Sequence, residues 1–293
     1  VTLSAAAGSL NLAGYTLTLN NGSAAQSVTG AAGNSFTISS SPGGGILSTT
    51  GTGNRTITLS NFGTSSSAGL IIGTGATLQM NNNAILNVGG NGTTISMLTV
   101  AGTLQVNSTT NSNIASGTAP FYTNTSTLEY RIAYGAFQEW LAGTALTTPG
   151  VPQNVIVNNS TGNVTIPGAR SALGNFTITS GTFLPSGTLS VGGNWSNTGT
   201  FTPNSQTVIF MGSASQSITR TGGETFFNLT LNNTAGLVPA NAITVTNTLT
   251  LTAGNITLSN NNLSITSGND ISGSPFSAGN MIVTNGTGKL IFS

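Results

Sequence analysis

The chain has 293 residues with no Cys and no His, five basic and four acidic side chains, and a formal net charge of +1. Without His or Cys, nucleophile systems built on either, His-ligated metal centres and a disulfide framework are excluded. With no basic excess, no field draws in nucleic acid or anionic lipid, so neither is expected as a partner.

Gly, Ser, Thr and Asn make up more than half of the chain, and 37% of residues are hydrophobic. That apolar share supplies a narrow, repetitive core and argues against disorder. No run of about 20 residues is continuously apolar and no basic, then apolar, leader precedes the first segment, so no membrane insertion is expected. The chain begins at Val1 without Met, the mark of a processed chain or a fragment.

In chain order, residues 1–120 carry separated strand-like segments: Tyr15–Leu19, Phe36–Ile38, Thr56–Leu59, Ala76–Met80, Ala84–Val88 and Gly102–Val106. Each alternates apolar and small polar residues, the period of a half-buried strand. Residues 121–150 break this style, with three of the four Tyr and one of the two Trp, and predict an aromatic junction or an insertion on the flank. Residues 151–293 are the most regular part. "NVIVNNSTG" (Asn154–Gly162) returns as "NLTLNNTAG" (Asn228–Gly236), and "GNFTITSGTFLPSGTLSVGG" (Gly174–Gly193) parallels "NTLTLTAGNITLSNNNLSITSG" (Asn247–Gly268), with Gly181 falling on Gly254. A weaker copy relates Ser126–Trp140 to Gln206–Arg220.

Within the repeat there is a shorter beat. Ile243–Val245, Leu249–Leu251, Ile256–Leu258 and Leu263–Ile265 are triplets of apolar, hydroxyl, apolar residues, separated by Gly- and Asn-containing turns. Three such strands and their turns make a rung of about 20 residues, the spacing of a β-solenoid. The expected fold is therefore all-β, a parallel β-solenoid (β-helix), with a string of tandem β-sandwich domains as the alternative. Stacking also explains the missing charges. Each side chain meets like neighbours above and below, where a charge would face a charge while Asn, Ser and Thr form hydrogen-bonded ladders.

"TLSVGGNWSNTGTFTPNSQTVIFMGSASQSIT" (Thr188–Thr219), "TFFNLTLNNTAGL" (Thr225–Leu237) and the closing "MIVTNGTGKLIFS" (Met281–Ser293) resemble the repeats of large secreted surface proteins of type IX-secreting, gliding-type bacteria. The resemblance covers about residues 127–293 and implies export to the outer surface or beyond, adhesin-like or structural roles, and chains far longer than this one.

Candidate chemistry is sparse. The acids are Glu129, Glu139, Glu224 and Asp270. A glycosidase pair at Glu129 and Glu139 would need two carboxyls across a cleft; the favoured reading makes Glu129 and Arg131 an ion pair on one strand face and has Glu139 cap or solvate the junction. Tyr130, Tyr134 and Trp140 are candidate glycan contacts, weighed against simple junction packing. Thr-x-Thr strings suggest ice binding only in register over many rungs, and here Gln and Asn interrupt them. "GKLIFS" (Gly288–Ser293) aligns with mid-repeat "QTVIFM" (Gln206–Met211), and the start, "VTLS", is equally strand-like. Leu290, Ile291 and Phe292 with Val1 and Leu3 are thus candidate subunit contacts in a head-to-tail filament. The expected protein is non-enzymatic and extracellular or on the outer cell surface. It is expected to need no cofactor and to act as a structural, adhesive fibre subunit whose partners are copies of itself, glycans or other cells, or alternatively as a carbohydrate- or ice-binding module.

Overall fold

Leu249, Thr250 and Leu251 show how the sequence makes its strands. In the computed structural model Leu249 and Leu251 are buried and Thr250 between them is half-buried. The same pattern recurs at Ile243–Val245, Leu263–Ile265 and Leu189–Val191. Alternate residues of a strand point to opposite faces, so each triplet commits two aliphatic side chains inward and one hydroxyl outward. Burying a Leu of this kind stabilises by about 1.5–3 kcal/mol. The structure describes residues 8–11, 15–20, 26–29, 36–39, 46–50, 55–60, 70–81, 84–87, 98–107, 119–266, 271–273 and 275–293. No helix occurs among them; the ladders are parallel, and the fold is a β-solenoid.

The chain divides into two compact units, Val1–Asn154 and Val155–Ser293. In the first, one ladder orders Gly8–Asn11, Phe36–Ser39, Leu70–Ile72, Leu98–Val100 and Phe121–Tyr122. A second orders Thr16–Asn20, Ile46–Thr50, Thr77–Asn81, Thr103–Asn107 and Thr127–Tyr130, and a third Gln26–Thr29, Arg55–Ser60 and Ala84–Asn87. Thr99 pairs with Phe121, whereas Phe36 pairs with the more distant Leu70. The rungs of this unit are thus uneven, and longer than the spacing expected from the second half. Parallel pairing fixes the strands alone, and lengthening a connecting loop adds little closure entropy.

The second unit keeps the shorter period. Arg170, Leu189, Val208, Leu229, Leu249 and Ile271 occupy one row at nearly even intervals along the chain. A second ladder runs through Glu224–Phe226, Ile243–Val245, Leu263–Ile265 and Leu290–Phe292. The core between the ladders is aliphatic, with one aromatic seam: Trp195 lies 4.9 Å from Phe176, 4.9 Å from Phe201 and 5.5 Å from Phe226, centroid to centroid.

The doubled "NN…G" sequence is a corner. The second Asn of each copy, Asn159 or Asn233, is buried at the end of its strand's apolar run. Asn233 donates from Nδ2 to Ala214 O at 2.7 Å and to Gln216 Oε1 at 2.9 Å, and its Oδ1 accepts from Ala235 N at 2.9 Å. The next rung crosses this corner with a glycine at positive φ. A Cβ on Gly254 (φ 88°) would stand 1.7 Å from Asn233 O, and one on Gly181 would stand 2.2 Å from Asn159 Oδ1. Close rung-to-rung packing thus requires the Gly, one rung on from each buried Asn.

The stretch expected as a junction from residue 121 divides in two. Phe121–Tyr122 and Thr127–Tyr130 continue the ladders in register with Thr99–Val100 and Thr103–Val106. Beyond them the backbone to Gln153 is mostly irregular, with the short strand Tyr134–Gly135.

Candidate functional site

Three strands of the first unit write the same outward code: "TLQMN" (Thr77–Asn81), "TLQVN" (Thr103–Asn107) and "TLEYR" (Thr127–Arg131). Leu78, Met80, Leu104, Val106, Leu128 and Tyr130 are buried inward. The intervening Thr, Gln or Glu, and Asn face outward and fall in register, Thr77 on Thr103 on Thr127 and Gln79 on Gln105 on Glu129. The amides bond along the row. Ser48 Oγ donates to Gln79 Oε1 at 3.0 Å, Gln79 Nε2 donates to Gln105 Oε1, and Gln105 Nε2 donates to Glu129 Oε2 at 2.8 Å. Arg131 Nε then donates to the other Glu129 oxygen at 2.9 Å, so the expected ion pair is present. Beside this row Asn107 Nδ2 donates to Asn81 Oδ1 at 2.5 Å. Gln105 and Glu129 are buried despite pointing outward; side chains one strand spacing away, about 4.8 Å, cover their flat faces.

Tyr130, Tyr134 and Trp140 are not a sugar platform. All three are buried, with Tyr130 5.7 Å from Tyr134 and 6.0 Å from Trp140 between ring centroids. A ring enclosed in this way has no face to offer a glycan; alternation places Tyr130 on the inner side of its strand with Leu128. Glu139 is also buried rather than solvated. Its Oε1 accepts from Tyr130 OH at 2.7 Å and Phe137 N at 2.9 Å, and its backbone O accepts from Tyr122 OH at 2.8 Å. Burial, then the Glu139 carboxylate, pushes the Tyr130 and Tyr122 phenols well above their ordinary range. Glu129 bonds on the outer face of the strand and Glu139 bonds to the inward Tyr130, so the two carboxyls do not face one another across a cleft.

The sequence reading missed the most unusual acid. Glu224 and Phe226 are buried on either side of exposed Thr225, and Glu224 pairs with Ile243. A carboxylate therefore occupies an aliphatic position of the core. It is enclosed by donors: Trp195 Nε1 at 2.8 Å and Asn197 Nδ2 at 2.7 Å to Oε2, and Arg220 Nη1 at 2.8 Å and Thr225 N at 3.2 Å to Oε1. Arg220 reaches it across the Thr221–Gly222 turn, closed by Gly223 N donating to Arg220 O at 2.9 Å. A buried charge persists only when paired and hydrogen-bonded, and Glu224 is both. The acid stands where the next rung, paired in register with it, carries the aliphatic Ile243, a correspondence set by the strand pairing.

Among the candidate subunit contacts, Leu290–Phe292 forms a strand paired with Leu263–Ile265; Leu290 and Ile291 are half-buried, and Phe292 is 61% exposed. Val1, Leu3 and Asp270 lie outside the described residues. No group of three or more potential metal ligands occurs among the described residues, and no helix there is long and apolar enough to cross a membrane. No protein family, curated protein or solved structure matches the chain. The fold and its polar rows define the class: a parallel β-solenoid whose described acids are bound into structural networks.

Proposed function

We propose that this protein is a non-catalytic structural module of an extracellular or cell-surface fibre with an adhesive role. The observation that carries the reading is the outward row from Ser48 through Gln79 and Gln105 to Glu129 and Arg131, bonded rung to rung. Backbone ladders join the same strands, so a load along the stacking direction is shared between main chain and side chains. The enclosure of Glu129, Glu139 and Glu224 supports the absence of catalysis, because each carboxylate is committed to neighbouring donors. The likeness of residues 188–219 and 225–237 to secreted surface repeats supports export. The net charge of +1 leaves little repulsion against assembly of copies into a filament. Force spectroscopy on the full chain tests the mechanical claim, with Gln105→Leu as the comparison. The unfolding force of the first unit falls in the variant; an unchanged force refutes the role of the side-chain row. Electron microscopy and sedimentation of the native protein test assembly, and a stable monomer at high concentration refutes it.

A second reading is favoured by the register of Thr77, Thr103 and Thr127 on successive rungs. Half-buried hydroxyls at one strand spacing present repeated donors and acceptors to an extended glycan. Retention of the protein on insoluble polysaccharide, abolished by Thr103→Glu, is its expected outcome; retention by the variant rejects this face.

A further inference from the structure

Asn is followed directly by Gly three times in the chain, at Asn21, Asn91 and Asn285. The first two lie outside the described residues. Asn285 and Gly286 are exposed, in the corner between Ile282–Val283 and Leu290–Phe292 of the second unit. We propose that Asn285 is a self-modification site, at which the main chain attacks the side-chain amide and converts the residue to isoaspartate. The reaction needs only water, and the proposal does not depend on the fibre reading.

The fold uses both members of this adjacent pair. Asn285 Oδ1 accepts from Ser259 N at 3.1 Å on the preceding rung, where Ser259 is held in the left-handed region at φ 50°. A Cβ on Gly286 would stand 2.3 Å from Ser259 O and 2.6 Å from Asn260 Oδ1, so a larger residue fits over that corner only by displacing it. Gly288 N then donates to the same Ser259 O at 2.9 Å. Packing therefore fixes a glycine after Asn285, and glycine is the residue that least hinders attack on the preceding amide.

The reacting groups are left free. Gly286 N and Asn285 Nδ2 donate to no group among the described residues. At three neighbouring Asn the nitrogen that would attack is tied down. Ile256 N, after Asn255, donates to Met281 O at 3.0 Å; Asn261 N, after Asn260, donates to Leu258 O at 2.8 Å; Leu263 N, after Asn262, donates to Lys289 O at 2.9 Å. Asn255 also has its leaving nitrogen held, Nδ2 donating to Ala278 O at 2.9 Å. At Asn285 the one bond falls on the oxygen, where negative charge develops as the nitrogen adds, and a backbone N–H there favours the addition. Gly286 N gives up its proton and bonds Cγ; the Cγ–Nδ2 bond breaks and Nδ2 leaves as ammonia. Water then opens the cyclic imide at either carbonyl, giving aspartate or isoaspartate. Both products add one negative charge, which takes the formal net charge from +1 to zero. Isoaspartate also lengthens the main chain by one carbon, beside a Gly286 already packed against Ser259 O. The corner must lift, which weakens the bonds from Thr287 N to Asn260 Oδ1 at 3.2 Å and from Lys289 N to Asn262 Oδ1 at 3.0 Å.

The test ages the full chain at mildly alkaline pH, folded and in urea, and follows it by peptide mass mapping with enzymatic methyl labelling of isoaspartate. In the folded chain Asn285 converts faster than Asn255, Asn260 and Asn262, at a rate that matches or exceeds its own rate in urea and rises with pH. Hydrogen exchange at the Ser259, Gly288 and Lys289 N–H groups quickens in the aged folded chain. Asn285→Gln, whose longer side chain closes the ring far more slowly, loses the label from that peptide. Asn285→Asp carries the charge on an unlengthened main chain and leaves the three exchange rates at their starting values. Slower conversion of Asn285 in the folded chain than in urea overturns the proposal, because the fold then protects the pair. So does conversion of Asn255, Asn260 or Asn262 as fast as that of Asn285, and so does a label that persists in the Asn285→Gln peptide. Unchanged exchange in the aged chain refutes the lifting of the corner.

Discussion

Replacing Gly254 by Ala isolates how tightly successive rungs are packed, because Gly222 supplies a matched control. The two glycines have nearly the same backbone conformation, φ 88° and φ 87°. They differ in surroundings: a Cβ on Gly254 would stand 1.7 Å from Asn233 O and 2.7 Å from Asn233 C, whereas one on Gly222 meets nothing within 4 Å. An L-residue in the left-handed region loses about 1–2 kcal/mol, and both variants carry that term. Only Gly254→Ala must also push the buried Asn233 corner away. Displacing backbone in a packed interior adds about 1–3 kcal/mol, and the shift stretches the Asn233 bonds to Ala214 and Gln216. The expected loss is therefore about 2–5 kcal/mol for Gly254→Ala against about 1–2 kcal/mol for Gly222→Ala. Denaturant unfolding followed by circular dichroism measures both. Equal losses would show that the rungs are not held at this separation, and the account of the Asn–Gly corner would fail.

Leu251→Asp places an unpaired charge in the aliphatic core, a loss of several kcal/mol, and limited proteolysis should cut the second unit in the variant at protease concentrations the parent resists. Glu224→Ala leaves Arg220, Trp195 Nε1 and Asn197 Nδ2 without their acceptor; about 3–5 kcal/mol is lost, the Trp195 emission shifts, and Glu224→Gln is the milder change in the same unfolding assay. Because the Tyr122 and Tyr130 phenols lie above their unfolded value of about 10, their contribution to stability is complete below that pH and is lost as pH rises through the folded values. Alkaline titration monitored by tyrosinate absorbance should therefore show these two rings ionising together with unfolding of the first unit, and early ionisation without unfolding would contradict their burial.

The sequence by itself determined the strands. Period-two alternation in "LTL", "LSI" and "TLQVN" sets which side chains share a face, and that is local geometry. The repeat also determined the Asn–Gly corner, since Asn159 and Gly181 in one copy return as Asn233 and Gly254 in the other, and a parallel stack must reproduce its tight contacts from rung to rung. The scarcity of charge was legible for the same reason. Only the tertiary structure decided which strand lies over which. Arg170 pairs with Leu189 after a short excursion of the chain, but Phe36 pairs with Leu70 after a much longer one, and loop length, which costs little, leaves no periodic trace. It alone enclosed Tyr130, Tyr134 and Trp140, candidate surface rings by composition, around the Glu139 carboxylate. It alone brought Glu224 to Trp195 and Asn197, which stand on a different rung. Alternation places a side chain inward or outward, but whether an inward acid finds donors depends on the neighbouring rung, and stacking across rungs is a property of the folded ladder.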